Sequence, residues 1–232
     1  MVPTPTLPTP ASAMRVLIVD DHQVTRLGLK MLLAELDPDV QTVETGRLGE
    51  AIEIGNRGEH FALVSLDVRL PDGNGIERLS RMKEAFPETP IVVMSAEKDR
   101  DLIHAAINAG ASGYIPKDTE NEVTVSAWRL VLAKGVYLPA EALYPGPTPG
   151  GSPGARKAPS EIVLTDGQID ILHRVLLGDS NKVMARRLNM TAGNVKAYLG
   201  RLYDKFGVSS RVELMVEAYK RGYFERFTKL PG

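Results

Sequence analysis

Short apolar runs alternate with stretches of helical period through the first 135 residues of this chain. The runs are RVLIV at 15–19, FALVSL at 61–66, IVVM at 91–94 and SGYI at 112–115, with VQTV at 40–43 a weaker candidate. They are nearly continuous in Val, Ile and Leu instead of alternating with polar residues, which predicts parallel strands covered on both faces. Between them, residues 22–35, 48–56, 75–86, 99–109 and 121–133 repeat apolar positions at helical spacing. Gly110 is placed to stop the fourth helix, and Pro87 with Pro90 to stop the third. Five such units predict a doubly wound α/β domain with a five-stranded parallel sheet, whose ligand site lies outside the carboxyl ends of the strands.

The pattern changes at residues 144–159, YPGPTPGGSPGARKAP, where five prolines interleaved with glycines leave nothing to pack a core. Beyond it no strand is predicted. Helical stretches at 167–177, 181–188, 192–206 and 211–221 are punctuated by Gly178, Asn189 and Gly207. Two short helices joined by a tight turn fit a helix-turn-helix. The expected organisation is a tail over 1–13, an α/β domain over 14–137, a Pro/Gly-rich linker over 138–160 and a small all-α domain over 161–232.

Composition narrows the options. The chain has no cysteine, which excludes disulfides, thiolate zinc sites and Cys nucleophiles. No apolar run is long enough for a membrane helix. Residues 1–13 hold four prolines and no charge, unlike a secretory leader, so a cytoplasmic location is expected. A net charge of −1 hides an asymmetry: residues 1–140 hold 14 Lys and Arg against 20 Asp and Glu, whereas residues 161–232 hold 12 against 8. A basic helical half joined to an acidic half is a candidate for nucleic acid.

The strand ends carry the chemistry. The first runs into Asp20 and Asp21, the third into Asp67, the fourth into Ser95, and the fifth is followed by Pro116 and Lys117. The fold brings these together across about 100 residues. Three carboxylates in one crevice repel one another unless a cation sits among them, and an all-oxygen set suits Mg²⁺. Carboxylate, divalent cation, lysine and hydroxyl are what phosphoryl transfer onto a carboxylate needs. Taken singly, each residue has a plainer reading: Asp at a strand end is a common helix cap, and a lone lysine is usually solvated.

The stretches VLIVDDHQVTRLGL, LVSLDVRLPDGNGIE, PIVVMSA and NAGASGYIPKD resemble the receiver domain of bacterial two-component response regulators. The resemblance implies that Asp67 accepts a phosphoryl group from a sensor histidine kinase. It implies that Asp20, Asp21 and Asp67, with the backbone carbonyl of Arg69, bind Mg²⁺. Lys117 would pair with the phosphoryl group and Ser95 would follow it. Tyr114 would be the aromatic switch that rotates inward when Ser95 moves. His22 follows the acid pair and is given no catalytic role.

Residues 163–211 resemble the LuxR/FixJ/NarL-type helix-turn-helix, through Leu164-Thr165, Ile171-Leu172, Gly178, Asn181-Lys182, Ala185, Leu188, Val195-Lys196 and Lys205 to Val208 with Arg211. Gln168 and Val183 stand where relatives usually have Glu, and Tyr198 where His is common. On a helical wheel Val195, Tyr198, Leu199, Leu202 and Phe206 form one stripe, with Gly193, Ala197, Gly200 and Asp204 opposite. The candidate DNA contacts are Lys182, Asn194, Lys196, Ala197, Gly200, Arg201 and Lys205. Together the resemblances imply a phosphorylation-controlled regulator of transcription that binds double-stranded DNA, pairs as a homodimer at least when phosphorylated, and is not an enzyme beyond transfer onto its own aspartate. Two alternatives stand beside it: a DNA-binding regulator indifferent to phosphorylation, and a receiver whose output domain has lost DNA binding.

Overall fold

The computed structural model describes residues 13–142 and 162–223, apart from the side chains of residues 74, 75 and 78. Residues 1–12 and most of the expected linker, 143–161, lie outside the described residues. Strands β1 (Arg15–Val19), β2 (Gln41–Thr45), β3 (Leu63–Asp67), β6 (Ile91–Ser95) and β7 (Gly113–Pro116) form one parallel sheet in the order β2-β1-β3-β6-β7. A two-residue hairpin, β4 (Arg69–Leu70) with β5 (Gly73–Asn74), follows β3.

The continuous apolar runs have their physical cause here. Leu17, Val19, Val64, Leu66, Ile91 and Val93 enter one buried cluster with helices α2 (Leu48–Asn56), α3 (Gly75–Ala85) and α4 (Arg100–Asn108). Val16, Ile18, Leu63, Val92, Met94 and Ile115 enter a second cluster, which Leu29 and Leu33 of α1 (Gln23–Leu36) and Trp128 of α5 (Asn121–Leu132) complete. Both faces are dry, so polar alternation would bury unpaired groups. β2 pairs only with β1 and is partly exposed, which explains its weaker pattern.

The α/β body runs further than the expected boundary at 137. Tyr137 bridges Gly113, the Tyr114 N–H donates to the Tyr137 carbonyl at 3.1 Å, and residues 140–142 form a 3₁₀ turn. His104 of α4 lies 3.1 Å from the Ala142 carbonyl. Apolar Tyr137, Leu138 and Ala142 have somewhere to pack, which a proline count does not convey.

The second domain comprises α6 (Asp166–Leu176), α7 (Asn181–Arg187), α8 (Ala192–Phe206) and α9 (Arg211–Lys220). Ile171, Leu172, Val175, Met184, Val195, Leu199, Leu202, Phe206, Val212 and Met215 make its core. Gly207 ends α8 at φ +68° and Asn189 turns the chain between α7 and α8 at φ +51°, both left-handed. Ser180, Thr191 and Ser210 cap α7, α8 and α9 through their hydroxyls. Arg211 is buried, donates to the Asp179 carbonyl at 2.7 Å and ties the start of α9 to the end of α6; burial pulls its pKa down to about 10.

The two domains touch. Lys182 pairs with Glu84 at 2.7 Å, Arg186 and Arg187 both pair with Glu88, and Arg100 of α4 meets Glu213 of α9 at 3.2 Å.

Candidate functional site

β1 and β3 are neighbours, and β2 lies on the far side of β1, so the sheet reverses its winding between them. Their carboxyl ends therefore open into the crevice that such a reversal creates. Val19 is in register with Leu66, which sets Asp20 beside Asp67. Both carboxylates are buried, at 1% and 4% exposure. Lys117 reaches in from the end of β7: its ammonium donates to Asp20 Oδ2 at 2.8 Å and to Asp67 Oδ2 at 2.7 Å. The Lys117 N–H donates to the Ser95 carbonyl at 2.7 Å, which holds the lysine loop against β6. Asp67 Oδ1 accepts the Arg69 N–H at 3.1 Å, and Asp20 Oδ1 accepts the His22 N–H at 2.7 Å. The His22 ring sits 2.8 Å from Asp21 Oδ1.

One ammonium faces three carboxylates. Burial raises the Asp67 pKa, and the Asp20 charge adds to it against the opposing hydrogen bonds from Lys117 and Arg69. Burial pulls Lys117 the other way, but its bonds to Asp20 and Asp67 outweigh that and hold it protonated. The crevice thus keeps uncompensated negative charge. Ligand atoms of Asp20, Asp21, His22 and Asp67 all lie within 4.8 Å of one another, so one cation could touch several of them. The donors include three carboxylates, a set that fits a hard divalent ion.

Ser95 is buried at the edge of the crevice, and its hydroxyl accepts the Glu97 N–H at 3.1 Å. The Tyr114 ring is fully buried, and its hydroxyl donates to the Glu97 carbonyl at 2.7 Å, which gives the buried group its partner. Arg69 also holds Glu97, at 2.8 Å. Nothing in the sequence pairs 69 with 97; only the adjacency of β3 and β6 does.

In the second domain, Val195, Leu199, Leu202 and Phe206 of α8 are buried and Tyr198 is half-buried, so the wheel's stripe is core. Asn194, Lys196, Ala197, Gly200 and Arg201 are exposed along the opposite side. Arg201 lies over the Tyr198 ring at 5.6 Å. Two candidates differ. Lys205 is half-buried and donates to the Val163 carbonyl and to Gln168 Oε1, so its ammonium holds the domain's N-terminal segment. Lys182 is on the surface but turned to Glu84 of the other domain, as Arg186 is to Glu88. Gln168 also accepts the Thr165 N–H at 3.1 Å, so an amide serves the start of α6 as well as a carboxylate would. Arg187, Glu84 and Glu88 were not singled out in the sequence, since isolated surface charges carry no signal until a partner faces them.

Comparison with known proteins agrees with this geometry. Residues 16–129 match the model of the response regulator receiver domain, and residues 162–218 match that of the bacterial regulatory proteins of the luxR family. The chain is 34% identical over 203 residues to the nitrate/nitrite response regulator protein NarP of Escherichia coli, covering 87% of this chain and 93% of that one. It is 33% identical over 213 residues to NarL of the same organism, covering 90% and 96%. Among solved structures, a LuxR-family two-component response regulator from Aurantimonas superposes with a TM-score of 0.51 at 28% identity, over 57% of this chain and 94% of that one. No helix among the described residues is long and apolar enough to cross a membrane.

Proposed function

The chain belongs to the NarL/FixJ/LuxR class of response regulators and is a phosphorylation-controlled regulator of transcription, and from that premise we propose that Asp67 is its phosphoacceptor and the exposed side of α8 its DNA-reading surface. The observation that carries the first part is Lys117 bridging Asp20 and Asp67 at 2.8 and 2.7 Å in a buried crevice. An Asp67 carboxylate oxygen attacks the phosphorus of a kinase phosphohistidine in line. The new O–P bond forms as the P–N bond breaks, and the electron pair leaves with the imidazole. Lys117 then follows the phosphoryl oxygens and Ser95 turns from the Glu97 N–H to a third oxygen. Asp20, Asp21 and Asp67, with the Arg69 carbonyl, are the residues that would hold Mg²⁺. Bound there, it would neutralise phosphoryl charge that one lysine cannot. The protein's chemistry is confined to this transfer onto itself.

For DNA, Lys196, Asn194 and Arg201 reach base edges or phosphates while Ala197 and Gly200 let α8 approach closely. Lys182 would hold the backbone once released from Glu84. Lys205, tied to Gln168 and Val163, supports the fold of this domain instead. Phosphorylation acts by loosening the docked domains and favouring a homodimer on two half-sites, in the cytoplasm. The test is intact mass after incubation with a small phosphodonor and Mg²⁺. The chain gains one phosphoryl group and Asp67→Asn gains none; an unchanged wild-type mass, under conditions that label another receiver, defeats the reading.

A further inference from the structure

His22 has no part in the chemistry assigned to the crevice. It stands at the N-terminal boundary of α1, a position that favours Ser, Thr, Asp or Asn because their short side chains accept from the first turn. The imidazole makes no such bond. The His22 N–H donates to Asp20 Oδ1 at 2.7 Å, and the ring lies against the acid pair, with Nδ1 2.8 Å from Asp21 Oδ1 and 3.4 Å from Asp20 Oδ1. The ring is 67% exposed, so apolar packing does not put it there. An exposed His–carboxylate pair contributes little to stability, so folding does not account for its place either.

The three atoms have the spacing of donors around one ion. Neighbouring ligands of an octahedral ion with bonds of about 2.1 Å are about 3.0 Å apart, and the two separations from Nδ1 lie on either side of that value. Lys117 takes Asp20 Oδ2, so Oδ1 is the oxygen on the His22 side. Asp67 offers a fourth donor atom within 4.8 Å of the others. Asp21 and His22 are exposed, so the remaining positions are open to water. Mg²⁺ is hard, prefers oxygen and keeps several waters, so it gains little from a nitrogen. Imidazole suits first-row transition ions, whose affinity for one nitrogen and oxygen site rises from Mn²⁺ through Co²⁺ to Ni²⁺.

We propose that His22 is a metal ligand through Nδ1, and that the crevice therefore takes a first-row transition divalent ion such as Mn²⁺ or Co²⁺ in preference to Mg²⁺. The inference rests on the reading of the crevice as a divalent-cation site and adds the ligand that decides which cation it selects. Nδ1 binds with its lone pair, so the ligating ring is neutral and carries its proton on Nε2.

Isothermal calorimetry of the untagged full chain with Co²⁺ and Mg²⁺, alone and in competition, tests this together with the proton spectrum of the Co²⁺ form. The wild type binds Co²⁺ more tightly than Mg²⁺ at one shared site, and hyperfine-shifted imidazole C–H resonances appear. His22→Ala weakens Co²⁺ binding by about tenfold or more and Mg²⁺ binding by less than about threefold, and the shifted resonances vanish. His22→Asn, which restores a helix cap and an amide oxygen but no imidazole, gives the same result, so a disturbed start of α1 is not the cause. Equal weakening of the two ions in His22→Ala, unchanged Co²⁺ binding in that variant, or a Co²⁺ preference retained by His22→Asn overturns the proposal. The two readings fail differently. Competition between the ions with both weakened alike removes only the role of His22, whereas a wild type that binds neither ion removes the cation site and His22 with it.

Discussion

Lys117 is half-buried and Lys83 is buried, and their surroundings send them in opposite directions. Lys117 meets two carboxylates and its pKa is raised; Lys83 meets a carbonyl and burial lowers its pKa to about 8. For Lys117→Ala, the ammonium that opposes the burial of Asp67 is gone, so the Asp67 pKa climbs further. The transfer needs the carboxylate, so the acid limb of phosphorylation rate against pH moves to higher pH. Labelling by a small phosphodonor across pH 4–8 reads this; an unmoved limb assigns Lys117 no electrostatic hold on Asp67. For Lys83 the folded pKa of about 8 lies below the ordinary 10.5, so the unfolded chain binds more protons between those values. Its burial therefore costs stability in full below pH 8, by up to about 3 kcal/mol, and the cost fades as pH rises toward 10.5. Lys83→Met should be more stable than wild type at pH 7, with the gap closing by about pH 10. Denaturant titrations of both proteins across that window check it.

At the scale of the element, α8 is the informative helix. A Cβ built at Gly200 meets nothing within 4 Å, so no packing in the protein requires the glycine. Gly200→Ala should stabilise the protein by about 0.5–1 kcal/mol through helix propensity alone. If close approach to DNA is the reason for the glycine, the same mutant binds DNA more weakly despite its firmer helix. Melting and binding measured together decide this, and unchanged affinity leaves Gly200 without a role in recognition. The periodicity of α8 was legible to the residue, because an amphipathic helix between a Thr cap and a left-handed glycine has every local signal it needs. The hairpin of β4 and β5 was not, since two residues per strand are too few for any period to show. Residues 138–142 read as linker in the sequence because the partner that holds their end, His104 against the Ala142 carbonyl, is distant in sequence.

Over the whole molecule, the docked arrangement sets two receiver glutamates against cations of α7. These pairs are more than half exposed on the Glu84 and Glu88 side, so each is worth about 0–1 kcal/mol. Glu84→Gln with Glu88→Gln should therefore leave the fold of each domain intact and weaken the docking. The unphosphorylated double variant is expected to bind DNA up to about tenfold more tightly than wild type, since 1.4 kcal/mol is a factor of ten. A gel shift at low salt measures it; equal affinities would mean that these pairs do not restrain the DNA-binding domain. The contact of α4 with α9, through Arg100 and Glu213, gives the receiver a second hold, next to the loop that Ser95, Glu97 and Tyr114 organise.

The order of strands and helices, the doubly wound class, the division into an acidic and a basic half, and the gathering of Asp20, Asp67, Ser95 and Lys117 were all legible in sequence. Each follows from local periodicity, or from the rule that parallel strands deliver their carboxyl ends to one edge. Tertiary structure alone decided which charges are spent. Lys205 is bound to Gln168, Lys182 and Arg186 to receiver carboxylates, and Lys83 to a lone carbonyl. It also decided that the buried Tyr114 hydroxyl finds its partner in the Glu97 carbonyl. The physical reason is the same in every case: a side chain's pattern reports whether it is apolar, but a polar group's role depends on the partner that faces it, and those partners lie 6 to 98 residues away, set by the fold and not by any repeat.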